Sequence, residues 1–376
     1  MNRIYFDNNA STPIDPHVLR ILIEEIKEEV GNPSSMHFHG KKCLKKLEDS
    51  RAVISRYFKV KPHQVVFNSG GTEGAAMLLQ GFLNNHSQPH VISSSAEHSC
   101  VYQTLQEVKK KGVDVTFLTP GVWGTPRPEE IEKAICPATR LIVLTAVNNE
   151  TGVLTDIEAI SSIAQRKNLP FILDGVAWLG KAKMAIPSGV SAAFFSGHKI
   201  HAPKGIGFCV LFHPLKLSPL LIGGSQEFNR RAGTENLSGI VALAEAIHLL
   251  EKKEGAFIDH LSFLRDLFEK ELFAQLPNIQ INGLGNRISN TSNLSFPHID
   301  GESLLIALDM KGISASLGSA CASGSIEPSR VLREMGYPVA RVLSSLRFSF
   351  GRQNTQEEVR RAIDIIVETI GKLNRL

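Results

Sequence analysis

Short apolar runs alternate with amphipathic stretches through the middle of the chain. Seven runs read as strands: Val65–Phe67, His90–Ser93, Asp114–Leu118, Leu141–Val147, Pro170–Asp174, Ala192–Ser196 and Gly207–Phe212. They are rich in Val, Ile, Leu and Phe, as strands buried on both faces are. Helical spacing lies between several of them, over Glu73–Asn85, Val101–Lys111, Pro128–Ala134 and Ile157–Lys167. This alternation predicts an α/β unit with a mostly parallel sheet. Ligands of such sheets sit at the carboxyl ends of the strands. Past about residue 235 the pattern changes. A helix is expected over Ser238–Lys252, with a break at Gly255, then a helix over Ile258–Leu276. Strands near Asn293–Phe296 and Ser345–Phe350 and helices over Gly301–Met310 and Thr355–Leu373 complete a smaller α+β unit.

The chain has 376 residues, 43% hydrophobic and 21% charged, with a formal charge of only +4. That excludes a collagen or a disordered chain and suggests about two domains. Lys41, Lys42, Lys45 and Lys46 form the densest basic stretch, and their spacing reads as a solvated helix face rather than a nucleic-acid site. The five cysteines include no CxxC pair, so neither a zinc site nor a disulfide framework is indicated. No signal-like segment and no membrane-length apolar run occur, which makes a reduced, cytoplasmic protein the simplest expectation.

The strand ends collect the chemistry. After the first strand, Asn68-Ser69-Gly70-Gly71-Thr72-Glu73 opens a helix with small residues. Free backbone N–H groups there suit a phosphate, although an ordinary N-cap explains the same residues. His98 follows the second strand, and Asn148-Asn149-Glu150 follows the fourth. Asp174 ends so apolar a strand that its carboxylate needs a cationic partner. Ser196-Gly197-His198-Lys199 ends the sixth, and burial there would favour the neutral amine that a Schiff base requires. Cys43, Cys100, Cys136 and Cys209 read as small packing residues. Cys321, in Gly318-Ser319-Ala320-Cys321-Ala322-Ser323-Gly324, stands in a run of small residues that predicts a mobile loop with a reactive thiol.

Lys199, Asp174 and the Gly-Thr helix start together resemble a fold-type I pyridoxal-phosphate enzyme. With Cys321, the chain resembles the cysteine desulfurases of the nitrogen-fixation and iron–sulfur-assembly type, in the class V aminotransferase family. The resemblance runs from Tyr5-Phe6-Asp7-Asn8-Asn9-Ala10 through Gly31-Asn32-Pro33-Ser34-Ser35 and Arg231-Ala232-Gly233-Thr234 to Ser345-Leu346-Arg347-Phe348-Ser349. It implies a large domain over 16–255 with a seven-stranded sheet, and a small domain from 1–15 and 256–376. It implies that Lys199 binds pyridoxal phosphate and shuttles the Cα proton, with Asp174 on the pyridine nitrogen and His98 stacked on the ring. Asn149 would lie near the phenolic oxygen and the substrate carboxylate. Gly71, Thr72, Ser196 and His198 would hold the phosphate, Thr234 would reach the phosphate of a partner subunit in a homodimer, and Arg347 would clamp the substrate carboxylate. Cys321 would take sulfur from L-cysteine as a persulfide, release L-alanine, and pass the sulfur to an acceptor protein for iron–sulfur assembly or tRNA thiolation.

Three departures stand out. The family's glutamine three residues after the cofactor aspartate is Ala177 here, followed by Trp178, which removes one donor worth about 1–3 kcal/mol. Ser225 and Phe228-Asn229 stand where a glycine and an Arg-Gly pair are usual, and Ala202 replaces a glycine. A selenocysteine lyase-like activity and a silent, partner-binding role are the competing readings.

Overall fold

The computed structural model describes residues 3–28, 30–318 and 328–373. The chain enters with a two-residue strand, β1 (Ile4–Tyr5), and two helices, α1 (Pro16–Glu28) and α2 (Phe38–Tyr57). The alternation then begins: β2 (Val65–Asn68), α3 (Gly71–Leu83), β3 (His90–Ser94), α4 (Ser99–Lys110), β4 (Asp114–Leu118), α5 (Pro128–Ala134), β5 (Thr139–Thr145), α6 (Ile157–Arg166), β6 (Phe171–Asp174), β7 (Ala192–Ser196) and β8 (Gly207–Leu211). These strands form one seven-stranded sheet in the order β2-β8-β7-β6-β5-β3-β4. Only β8 runs against its neighbours β2 and β7. Because β8 returns antiparallel, the turn that carries Lys199 between β7 and β8 falls at the carboxyl edge, beside the ends of β2, β3, β5 and β6.

The sheet is covered on both faces, and successive side chains divide between two cores. Phe67, Ile92, Leu144 and Phe195 join one cluster with Ile54 and Leu243. Val66, Val91, Val143 and Phe194 join the other with Leu78, Leu105 and Cys209. This explains why the strands read as continuous apolar runs.

The short turn α7 (Gln226–Asn229) precedes α8 (Leu237–Gln275), then come β9 (Gln280–Ile281), β10 (Thr291–Ser295), α9 (Gly301–Met310), β11 (Ile313–Ser314), α10 (Arg330–Glu334), α11 (Val339–Leu343), β12 (Ser345–Ser349) and α12 (Gln356–Leu373). A three-stranded sheet, β12-β10-β9, packs with β1 and β11 around a further cluster that includes Phe6, Phe268, Leu294, Phe348 and Ile363. The N-terminal residues thus return to the C-terminal core.

Two expectations are corrected. The break at Gly255 does not occur, since α8 runs unbroken for 39 residues. Its first half buries Leu243, Ile247 and Leu250 in the sheet's core and its second half buries Leu264, Phe268 and Leu272 in the other. That packing outweighs the ~1 kcal/mol cost of a helical glycine. Cys136 is not a packing residue but is exposed, in the turn between α5 and β5, where its N–H donates to Thr139 Oγ1 at 2.8 Å. Cys43 and Cys209 are buried. Cys100 is half-buried, and burial raises its thiol pKa. The four lysines lie on α2, and Lys46 is half-buried against Glu25 at 2.6 Å. Among the described residues, no helix is long and apolar enough to cross a membrane.

Candidate active site at the carboxyl edge of the sheet

Lys199 closes a single turn of 3-10 helix at the end of β7. Its Nζ donates to the carbonyl of Asn9 and, at 2.9 Å, to that of Ala10. The N-terminal segment therefore holds the lysine over the strand ends. It is tied there by Thr12, whose N–H and hydroxyl both donate to the His198 carbonyl at 2.9 Å.

Asp174 ends β6 and is 4% exposed. Its Oδ1 accepts from the Val176 N–H at 2.9 Å. Burial pushes its pKa up to about 6, against the pull of that N–H and of Lys199. The cationic partner expected for it is Lys199, acting through space. A buried carboxylate so incompletely compensated favours a positively charged N–H group beside it.

The N-terminus of α3 supplies the third element. Gly70 is its N-cap, at φ +148°, and no side chain caps the helix. A Cβ at Gly70 would lie 3.5 Å from Ser196 Oγ, and one at Gly71 would lie 3.0 Å from Val176 Cγ2. The start of α3 and the ends of β6 and β7 thus converge, which sets the first turn of α3, with exposed Thr72 in it, beside the Ser196 hydroxyl. This is an anion-binding geometry.

His98 caps α4, with Nδ1 accepting from the Cys100 N–H at 3.2 Å. Burial, then the charges of Lys199 and Arg330, lower its pKa to about 4. His198 is likewise lowered to about 4, first by burial and then by Lys199, and its Nδ1 lies 3.3 Å from Ser11 Oγ. Both rings are neutral at pH 7. The Asn149 carbonyl accepts from Asn9 Nδ2 at 3.0 Å and from Arg347 Nη1 at 3.2 Å.

Arg347 is 1% exposed, on β12. Its Nη2 donates to Asp7 Oδ1 at 2.7 Å, and its Nε has no hydrogen-bond partner among the described residues. Burial raises the Asp7 pKa even though Arg347 draws it down. Thr234 stands exposed before α8 and takes no part in these hydrogen bonds. Cys321 lies outside the described residues.

Sequence reasoning passed over three groups. Asn9 joins the site: its Oδ1 accepts from Lys181 Nζ at 3.3 Å and from Asn290 Nδ2 at 3.1 Å. Lys181 is buried, and burial followed by the charges of Lys199, Arg347 and Arg352 lowers its pKa to about 7. Glu97 is fully buried beside His98, and burial holds its pKa well above the ordinary value. The signal for Asn9 and Asp7 was their place in an ordered motif. Lys181 and Glu97 carried none, because nothing local marks that their side chains turn inward.

The Ser225–Asn229 departure has a clear structural form. Glu227, Phe228 and Asn229 all have φ between 48° and 62°. Glu227 is buried, and it pairs with buried Arg51 at 2.8 and 2.9 Å and accepts from the Phe67 N–H at 2.8 Å. That anchor holds a left-handed turn that non-glycine residues rarely adopt. Ala177 and Trp178 are buried in the core facing α8.

A model of the class V aminotransferases matches residues 4–362 of this chain. The chain is 38% identical to a cysteine desulfurase of Nostoc sp. over 100% of its own length and 95% of that protein. It is 35% identical to the cysteine desulfurase IscS of Dictyoglomus turgidum, over 99% and 96% of the two chains. Among solved structures, a NifS-like protein superposes with a TM-score of 0.92 at 30% identity, covering 99% of this chain and all of that one.

Proposed function

Since this chain belongs to the class V aminotransferase family, whose members use pyridoxal phosphate, we propose that it is a cysteine desulfurase. The reaction converts L-cysteine and the Cys321 thiol into L-alanine and a Cys321 persulfide. The convergence of the Lys199 amine, the buried Asp174 carboxylate and the open start of α3 carries this reading, because that donor set fits pyridoxal phosphate. The full-length likeness to cysteine desulfurases supports the substrate.

When bound, pyridoxal phosphate supplies an electron sink that makes the Cα proton of cysteine removable and its C–S bond labile. Lys199 holds it covalently and then carries the Cα proton. Asp174 would accept the pyridine N–H, and His98 would stack on the ring. The N–H groups of Gly71 and Thr72, with the Ser196 and Thr72 hydroxyls and His198, bind the phosphate. Asn149 would serve the phenolic oxygen. Arg347 and Asn149 orient the substrate carboxylate, with Arg347 exchanging Asp7 for it. The Cys321 thiolate attacks the substrate sulfur; the C–S bond breaks, its electron pair takes a proton at carbon, and the new S–S bond holds the sulfur without an external oxidant.

Residues 16–255 form the large domain and 1–15 with 256–376 the small one, α8 serving both. Ile26, Met36, Phe38 and Ile222 are exposed apolar residues that suit a second copy of the chain, whose Thr234 would complete each phosphate site. Sulfur leaves to an acceptor protein for iron–sulfur assembly or tRNA thiolation, in a reducing, cytoplasmic setting that restores the thiol.

Gly71→Val should weaken retention of pyridoxal phosphate at least about tenfold, because the added side chain must displace Val176 at the mouth of the phosphate site. Visible absorbance after dialysis reads it, and unchanged retention would argue against this cradle. The function itself is tested by supplying cysteine and a reductant to the yellow protein. Alanine with equimolar sulfide is expected. A yellow protein that forms neither supports the silent, partner-binding reading, and normal turnover after loss of the Cys321 thiol supports the lyase one.

A further inference from the structure

Glu150 stands next to Asn149, between the two points at which the chain enters and leaves residues 319–327. Its side chain is 3% exposed. Oε2 accepts from Ser329 Oγ at 2.5 Å. Gly318, at the entering end, packs on the same oxygen, so that a Cβ there would lie 3.1 Å from Oε2 and 3.3 Å from Ser329 Cβ. One carboxylate oxygen therefore bonds the leaving shoulder of the Cys321 segment and lies in the space a side chain would take at the entering one.

The backbone of Glu150 is itself fixed. Its N–H donates to Asn148 Oδ1 at 3.0 Å, and its carbonyl accepts from Asn293 Nδ2, on β10, at 3.1 Å. Each shoulder has a second anchor in the site. Ser316 and Arg347 exchange backbone hydrogen bonds of 3.1 and 2.7 Å, and Ser316 Oγ donates to the Gly318 carbonyl at 2.9 Å. On the leaving side, the Arg330 guanidinium donates to the carbonyls of Ser95 and Glu97, on the loop that carries His98. Burying a carboxylate is costly where an apolar side chain could fill the space. Cys321 follows Gly318 by three residues in the sequence.

We propose that Glu150 is a positioning residue for sulfur removal, clamping Gly318 and Ser329 against the strand end that presents Asn149. It thereby sets where the Cys321 segment meets the substrate. This inference rests on the desulfurase reading, whose failure must be told apart from its own.

The test compares Glu150→Ala, Glu150→Gln and Gly318→Ala with the wild-type protein, all loaded with pyridoxal phosphate. Cysteine binding is read from the change in visible absorbance, single-turnover alanine is quantified, and amide hydrogen exchange is followed over residues 312–318 and 328–335. Glu150→Ala and Gly318→Ala should form alanine about 10- to 100-fold more slowly while responding to cysteine at wild-type concentrations. Both should exchange faster at the two shoulders. Glu150→Gln keeps an oxygen for Ser329 and should stay within about threefold of wild type in both measurements. The proposal is overturned if Glu150→Ala keeps the wild-type alanine rate. It is equally overturned if the absorbance response is lost in proportion, which marks a general collapse of the site. Should the wild-type protein form no alanine, the desulfurase reading fails and the exchange data alone decide: unchanged shoulder protection in Glu150→Ala refutes the clamp.

Discussion

Lys199→Ala should release alanine from cysteine at least about 10⁴-fold more slowly than the wild-type protein, and should lose its yellow colour on dialysis. Two separate tasks fail together. The amine that attaches pyridoxal phosphate is gone, and so is the base that moves the Cα proton. The geometry leaves no substitute. Buried Lys181 is tied to Asn9 Oδ1 at 3.3 Å, and His98 Nδ1 is occupied by the N–H of Cys100 at 3.2 Å. Lys199→Arg should be equally inactive, because a guanidinium stays protonated at working pH and its fork cannot replace a single amine held by two carbonyls. Measurable turnover above about 1% in either variant would remove Lys199 from the centre of the mechanism.

The second large effect falls on Asp174. Asp174→Asn should slow alanine formation by about 10³-fold while still binding pyridoxal phosphate, because the amide cannot hold the pyridine nitrogen protonated. The same substitution should leave the cofactor-free protein no less stable at pH 7.5. Asp174 titrates near 6 in the folded chain against an ordinary 3.8. Between those values the folded protein binds a proton that the unfolded chain has released, so stability falls as pH rises from about 4 to about 6 and stays lower above that. The loss is on the order of 3 kcal/mol. The asparagine variant lacks this slope and keeps an oxygen for the Val176 N–H. Thermal melts of both cofactor-free proteins from pH 4 to pH 8 measure it. A wild-type melting temperature that rises over that window would contradict the burial argument.

Much of the sheet was legible because its strands are buried on both faces. Phe194 and Phe195 point into different cores, so the run carries no polar interruption, and each strand end is marked by the first polar residue. Asp174, Lys199 and the Gly70-Gly71-Thr72 start were found for that reason. Edges slipped where the polar boundary is soft: β5 begins at Thr139 rather than Leu141, since Thr139 pairs with His90 at the edge of the sheet. Helix α8 was misread at Gly255 because a glycine looks the same whether the helix ends there or is held on both sides by distant cores. The polar interior of the site was least legible. Asn9 becomes a hub, and Asp7 a partner of Arg347, only after the N-terminal segment is carried across to β12 and the Lys199 turn. Those pairings join residues 340 and 190 positions apart, which no local pattern encodes.

The central claim is that sulfur leaves cysteine for Cys321. Intact-protein mass spectrometry after one round of cysteine addition, without reductant, tests it most directly when alanine is counted in the same sample. The account predicts that the wild-type protein gains the mass of one sulfur atom per chain, reversed by reductant, with one alanine formed for each. Cys321→Ala should keep its colour, gain no mass and form little alanine. An equal yield of alanine from Cys321→Ala, or alanine from the wild type with no mass gained on Cys321, would contradict it.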